Sequence, residues 1–434
     1  MRRNKKISDR RNERGVVITL VAIFMLFVVG AMAALSIDVV TIYTARSEAQ
    51  LAADGAALAA ARVIANSGAT SDSTSTLLTS VEAAGGPAQN VALQVAQQNQ
   101  VGGTYLTPSQ VTVTPNGPYT NPTVTVKIQV TNLPTFFARI WGTKFTTVSA
   151  SATAEAYNPS GVAGTSSTTK FPVAPKCVKP WFLPNIDPSG GTTIFDPTSG
   201  AITDPDLLGW TSSTPATQLS VACPNGNCSG TLTGPVVAWK YYPGDPTTTF
   251  PPPTQALPSC TPVLTTQYEK SVAGCVQTAL TCNNNNVNID FSNYRNRNRE
   301  TAEAVNCVTH ATDGGDTVTS TAPPSAPFEF VAGAGNPIPG ASGNDVMVSD
   351  SLVTVPVYDS GNDQNPPTNP VTIVGYVQLF LNPNGQPTPT FGAGRGLVNT
   401  TIINMVGCGT GATGTPTVLG NGASPVAVRL ISPP

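Results

Sequence analysis

Eight cysteines are the side chains in this chain best equipped for chemistry: Cys177, Cys223, Cys228, Cys260, Cys275, Cys282, Cys307 and Cys408. Their number is even and none precedes position 177, so they read as a disulfide framework made in an oxidising compartment. Cys223 and Cys228, and likewise Cys275 and Cys282, are close enough in sequence for local bridges. A zinc site would want two tight cysteine pairs or a pair joined by histidines. CPNGNC has a four-residue gap, but six residues separate Cys275 from Cys282, and His310 is the single histidine. Disulfides are therefore expected and a metal is not.

Other candidate chemistry is weaker. A hydrolytic triad needs a base that can be oriented and accept a proton. His310 follows Cys307 at helical spacing, which makes the two neighbours on a helix before it makes them a dyad. The glycine-rich stretches GAGRG (392–396) and GCGTGATG (407–414) lack the Gly-Lys-Ser/Thr ending of a P-loop and the strand–turn–helix setting of a dinucleotide site. They read as turns. Asp187, Asp196, Asp204 and Asp206, and separately Asp359 and Asp363, make acidic loops, but their spacing fits no calcium-binding hand. RNRNRE at 295–300 is a basic cluster that reads as a solvated helix start, offset by Glu300 and Glu303. No catalytic residue, cofactor or nucleic-acid partner is expected; carboxylate-only chemistry stays open.

The elements that must position these residues begin with a charge asymmetry. The chain has 434 residues and a formal charge of −2, yet residues 1–14 alone carry +5. Charged residues make up only 11%, against roughly a quarter in average soluble domains, and 39 glycines and 40 prolines accompany them. Turn-rich β structure suits that composition better than a helical enzyme. From Gly15 to Ile37 there is no charge at all. About 20 apolar residues cross the hydrocarbon core of a bilayer, and the basic flank keeps the N-terminus in the cytoplasm. An uncleaved anchor in the inner (cytoplasmic) membrane is the first reading. Cleavage of a signal peptide after Ala31-Met32-Ala33 is the second. Prepilin-type cutting after Gly15 is the third, although type IV pilins usually carry glutamate where this chain has Leu20.

Past the span, DVVTIYTARSEAQLAADGAALAAARVIAN contains strong helix formers and no proline. Ile42, Ala45, Ala49, Ala52, Ala56, Ala59 and Val63 recur at intervals of three and four and form one stripe. Small residues there let another backbone come close, whether a like helix or the protein's own sheet. Residues 67–80 read as a Ser/Thr-rich linker, and a second helix is expected over 80–100 with a break at Gly85-Gly86-Pro87. VTVTP (111–115), PTVTVKIQV (122–130) and residues 143–157 alternate as strands, with a short helical turn through PTFFARIWG. Further strands are expected at 234–242, 350–358, 370–382, 397–407 and 425–431, and a helix near Asn298–His310.

The Arg14-Gly15 pair, the apolar run and DVVTIYTARSEAQLAADGAALAAA resemble the TadE/TadG-like N-terminal segment of the tight-adherence (Flp) pilus-assembly family. VTVKIQV, PTFFARIWG and TTVSASATAEA, in that order, extend the likeness over residues 14–157. The resemblance implies a role at the cell envelope in building or anchoring a Flp-type pilus, without known catalysis; Leu20 points to the TadG-like branch. The expected class is α+β: a basic cytoplasmic segment (1–14), a transmembrane helix (15–37), its extension (38–66), a small helix-plus-sheet unit (67–157) and a cysteine-containing β-rich exported domain (158–434). Expected partners are the inner membrane and pilus-assembly or pilin-like proteins. The alternative is an exported adhesin whose C-terminal part takes an extracellular surface ligand.

Overall fold

The computed structural model describes residues 9–160, 172–188, 191–209, 217–221, 238–257, 259–275, 278–282, 284, 286–291, 294–319, 328–346, 349–361, 368–388, 397–408, 418–419 and 424–431. It is an α+β molecule: one long apolar helix, several small sheets and a disulfide-bonded β-rich C-terminal region.

Helix α1 (Asp9–Asn66) runs 58 residues without interruption, roughly 87 Å at 1.5 Å per residue. It begins inside the basic segment, ahead of the expected start at Gly15. Helices α2 (Thr76–Glu82) and α3 (Pro87–Gln97) follow, separated at the Gly-Gly-Pro break. Strands β1 (Val111–Asn116), β2 (Thr123–Pro134) and β3 (Phe145–Tyr157) come next. Then come β4 (Trp181–Pro184), β5 (Thr217–Val221) and β6 (Ala238–Pro243), and helices α4 (Gln267–Ala273) and α5 (Tyr294–Val308). Strands β7 (Leu352–Tyr358), β8 (Ile373–Leu381), β9 (Val398–Gly407) and β10 (Ala427–Ile431) complete the chain.

Two compact units emerge: residues 1–56, 93–113 and 126–152 in the first, and 57–92, 114–125 and 153–434 in the second. In the first, the alternation of β2 buries Val126, Ile128 and Val130, and β3 adds Val148, Ala150 and Ala152. α1 is fastened there by Gln50 Nε2 donating to the Ser151 carbonyl at 3.1 Å and by the Gly102 N–H donating to Glu48 Oε2 at 2.8 Å. Gly102 and Gly103 both hold positive φ (61° and 81°) in the two-residue turn between paired Gln100–Val101 and Thr104–Tyr105. That is what a tight hairpin demands.

In the second unit β7-β8-β9-β5-β6-β4 close into a six-stranded barrel. Every residue of β7 and β8 is buried, which explains why they read as near-continuous apolar runs instead of alternating. The C-terminal strand β10 pairs antiparallel with β3, Val428 opposite Ala156, in a four-stranded sheet of order β10-β3-β2-β1.

The segment 67–80 is not an exposed linker. Ser67, Ala69, Thr70, Ser71 and Asp72 are all buried, and α2 starts within it. Its hydroxyls find backbone partners: Ser71 Oγ donates to the Met405 carbonyl at 3.1 Å and accepts from the Met405 N–H at 3.0 Å. Asp72 Oδ2 accepts from the Leu77 N–H at 2.8 Å at the start of α2. Buried polar side chains are tolerated where they are hydrogen-bonded, so a polar composition was compatible with a place on the barrel. Asn404 Nδ2 completes the junction, donating to the Ala65 carbonyl and to Gln378 Oε1, each at 2.6 Å.

Candidate functional site

All large apolar side chains of α1 from Val16 to Val40 are exposed, Leu26 at 76% and Phe27 at 79%. So long an unburied apolar surface is suited to a partner or a bilayer, and the helix has the length and composition to cross a bilayer. Within this exposed stretch Asp38 is the exception, only 3% exposed. Its carboxylate accepts three successive backbone N–H groups from the β2–β3 connection: Phe136 at 2.9 Å, Phe137 at 3.0 Å and Ala138 at 2.6 Å. These open the short 3₁₀ turn Ala138–Trp141. Burial raises the Asp38 carboxyl, but the N–H groups of Ala138, Phe136 and Phe137 outweigh it and hold the group below the usual aspartate range. Asp38 reads in the sequence as an ordinary flanking charge. The usable signal was its being the first acid after an uncharged run, with PTFFARIWG downstream to supply donors.

Beyond Asp38, Ala45, Ala49, Ala52 and Ala56 of the seam are buried, while Ile42, Ala59 and Val63 are half-buried. In the last turns Ala60, Ala61, Ile64 and Ala65 take the buried positions instead. A strict three-and-four count drifts against the 3.6-residue helical period, which accounts for the one-residue offset.

Among the described residues three disulfides join elements far apart in sequence: Cys177–Cys275, Cys260–Cys307 and Cys282–Cys408, with separations of 98, 47 and 126 residues. Their Cα–Cα distances, 4.5, 5.4 and 5.2 Å, lie in the range such bonds require. Cys275 and Cys282 are therefore not bridged to each other; each is nearer to a cysteine from a distant segment. Cys223 and Cys228 lie outside the described residues, as do residues 392–396 and 409–414 of the glycine-rich stretches. Because Cys307 is bonded to Cys260, it offers no thiolate to His310, whose Nε2 lies 3.4 Å from Asp350 Oδ2.

The acidic loops are used locally. Asp196 accepts from the Thr198 and Ser199 N–H groups, each at 2.8 Å, and the Ser199 and Thr198 bonds lower its pKa. Asp204 is raised, by burial and by Asp187 and Asp206 nearby, against a bond from Thr192. Asp363 is outside the described residues. Among the described residues no group of three or more His, Cys, Asp and Glu is placed to hold a metal ion.

The basic cluster departs from a solvated helix start. Arg297 is buried, its Nη2 2.6 Å from Asp290 Oδ2 and its Nη1 paired with Glu300, while Arg299 is exposed opposite Glu303 at 3.6 Å. The Arg297 guanidinium lies 4.6 Å over the Tyr268 ring, and burial is offset by Asp290 and Glu300, which hold it above its ordinary pKa. Around it opens a cleft of about 640 Å³ lined by Asp245, Gln267, Tyr268, Asp290, Phe291 and Glu300, among others. Beneath it Trp181 Nε1 donates to the Tyr268 hydroxyl at 3.1 Å, and the Thr301 hydroxyl lies 3.0 Å from that of Tyr268 and 2.7 Å from that of Tyr241. Burial pushes the Tyr268 phenol up to about 12. Asp290 and Glu300 are paired with the arginine, Asp245 accepts from Thr247 and Thr248, and burial raises the Tyr241 and Tyr268 phenols. This surface offers hydrogen-bond donors and acceptors beside aromatic rings.

The class these features define is an α+β protein with one long exposed apolar helix, several small sheets and a disulfide-bonded β-rich C-terminal region. Residues 15–63 match the family described as putative Flp pilus-assembly TadE/G-like, which supports a role related to pilus assembly. The match covers the apolar stretch and all seven residues of the seam. No curated protein and no solved structure matches the chain.

Proposed function

We propose that this protein is a single-pass anchor of the inner membrane, its basic N-terminus in the cytoplasm and its bulk on the periplasmic side, with a non-catalytic structural part in assembling a Flp-type pilus. The observation that carries the reading is the coincidence, within the matched residues 15–63, of an apolar helix surface left open as far as Val40 and an alanine stripe buried from Ala45 onward. The first half suits lipid and the second suits close protein packing. The positive-inside bias of residues 1–14 sets the orientation. Removing the gene from a piliated host and restoring it in trans is the direct test. Pili should disappear and return with the full chain, but not with a version whose residues 15–37 are replaced by a cleavable leader. Normal piliation of the deletion strain would defeat the proposal.

A second reading is favoured by the cleft around Arg297. Its amide, hydroxyl, carboxylate and aromatic lining suits a neutral polyhydroxylated ligand such as a surface glycan, which would make the protein an exported adhesin. Glycan-array binding by the full chain, abolished by Gln267→Ala, would favour it over a purely structural role.

A further inference from the structure

We propose that the β2–β3 connection, residues 133–145, is seated in the lipid headgroup layer on the exported side of the membrane; this rests on the anchored reading above. The span ends at Ile37 and the next residue, Asp38, grips the connection through the N–H groups of Phe136, Phe137 and Ala138 at 2.6–3.0 Å. The connection is therefore tied to α1 at the level where the helix leaves hydrocarbon. It leaves Phe136 and Phe145 exposed at 65% and 56%, and on α1 just past Asp38 Val40 and Tyr43 are exposed at 64% and 76%. Arg139 and Lys144 are exposed too, and no Asp or Glu occurs between residues 133 and 145. Aromatic rings with cations and no acids are the composition of a surface lying at the bilayer interface, rings toward the acyl boundary and cations toward phosphate. Asp38 ties this patch directly to the end of the exposed apolar stretch of α1, so the bilayer that covers Val16–Ile37 is the occupant at hand. A tip made for water would not carry large apolar groups where polar turn formers suffice. The fixed tip adds a second attachment beside the helix and resists rocking of the first unit about the stem.

The test uses the full-length protein in vesicles of phosphatidylethanolamine and phosphatidylglycerol, with a benzophenone amino acid replacing Leu26, Phe136, Phe145 or Tyr105 in turn. Tyr105 is 63% exposed, but its hairpin is fastened at Glu48, about 15 Å farther along α1. Irradiation should give lipid adducts at 26, 136 and 145 and at least tenfold fewer at 105. Asp38→Ala should cut the yield at 136 and leave that at 26 unchanged. Adducts at 26 with none at 136 and 145 would overturn the proposal while leaving the anchor standing. No adduct at 26 would remove the anchor and the proposal together. Protein–protein adducts at 136 would overturn it in favour of a second chain as occupant.

Discussion

Asp38 and Glu82 are two acids with opposite environments, and each sets a local rule for pH. The Asp38 carboxylate gains more from three backbone donors than burial costs it; stability from such a lowered acid is present above the ordinary value of 3.8 and lost as pH falls below it. Glu82, at the end of α2, has a buried Oε1 without a hydrogen-bond partner among the described residues, and burial raises it from 4.5 to about 7. Between those values the unfolded chain has lost a proton that the folded chain keeps, so folding weakens as pH rises from 4.5 to 7 and levels off above. Glu82→Gln should flatten that slope and raise stability at pH 8 by about 1–2 kcal/mol, discounted for partial solvent exposure. Denaturant titrations of both proteins at pH 5 and pH 8 check it; equal differences at the two pH values would refute the assignment. Neither acid's state was legible in the sequence. Asp38 depends on donors 98–100 residues away, so its being the first acid after an uncharged run marks its place but not its partners.

The helices and strands were more legible, because each carries its own periodicity. The alternation of β2 and the alanine spacing of α1 are local signals, and the strand runs near 350–358, 370–382 and 397–407 fall on β7, β8 and β9. What escaped was closure of the barrel, which depends on pairings such as Val398 with Leu219 and Leu219 with Trp239, and the burial of Ser/Thr-rich 67–72, where hydroxyls substitute for apolar contact. The seam is sensitive to size. Ala52 is fully buried and Leu51 is 68% exposed. Ala52→Leu should destabilise the protein by about 1–3 kcal/mol through overpacking, with Leu51→Ala within about 0.5 kcal/mol of the parent, measured by thermal unfolding in detergent. The disulfides act at the same scale. Cys282–Cys408 closes 126 residues, the longest of the three loops, and replacing both cysteines by alanine should cost about 3–5 kcal/mol. An unchanged denaturation midpoint would show that the bond does not constrain the unfolded chain.

For the molecule as a whole, the two ends of the sequence make a joint demand. A basic segment followed by an uncharged apolar helix suits the proposed anchor, and disulfides between residues 47 to 126 apart suit an oxidising compartment for the rest. Composition made that demand visible before any fold was known, since it concerns solvent and redox environment and not tertiary contacts. The cleft around Arg297 was hidden for the contrary reason: a buried arginine and an exposed one look alike in RNRNRE. Fractionation of native cells, with thiols alkylated before and after reduction, tests the central claim most directly. The protein should stay in carbonate-washed membranes, and Cys177, Cys260, Cys275, Cys282, Cys307 and Cys408 should be alkylated only after reduction. Recovery from the soluble fraction, with these thiols labelled at once, would contradict it.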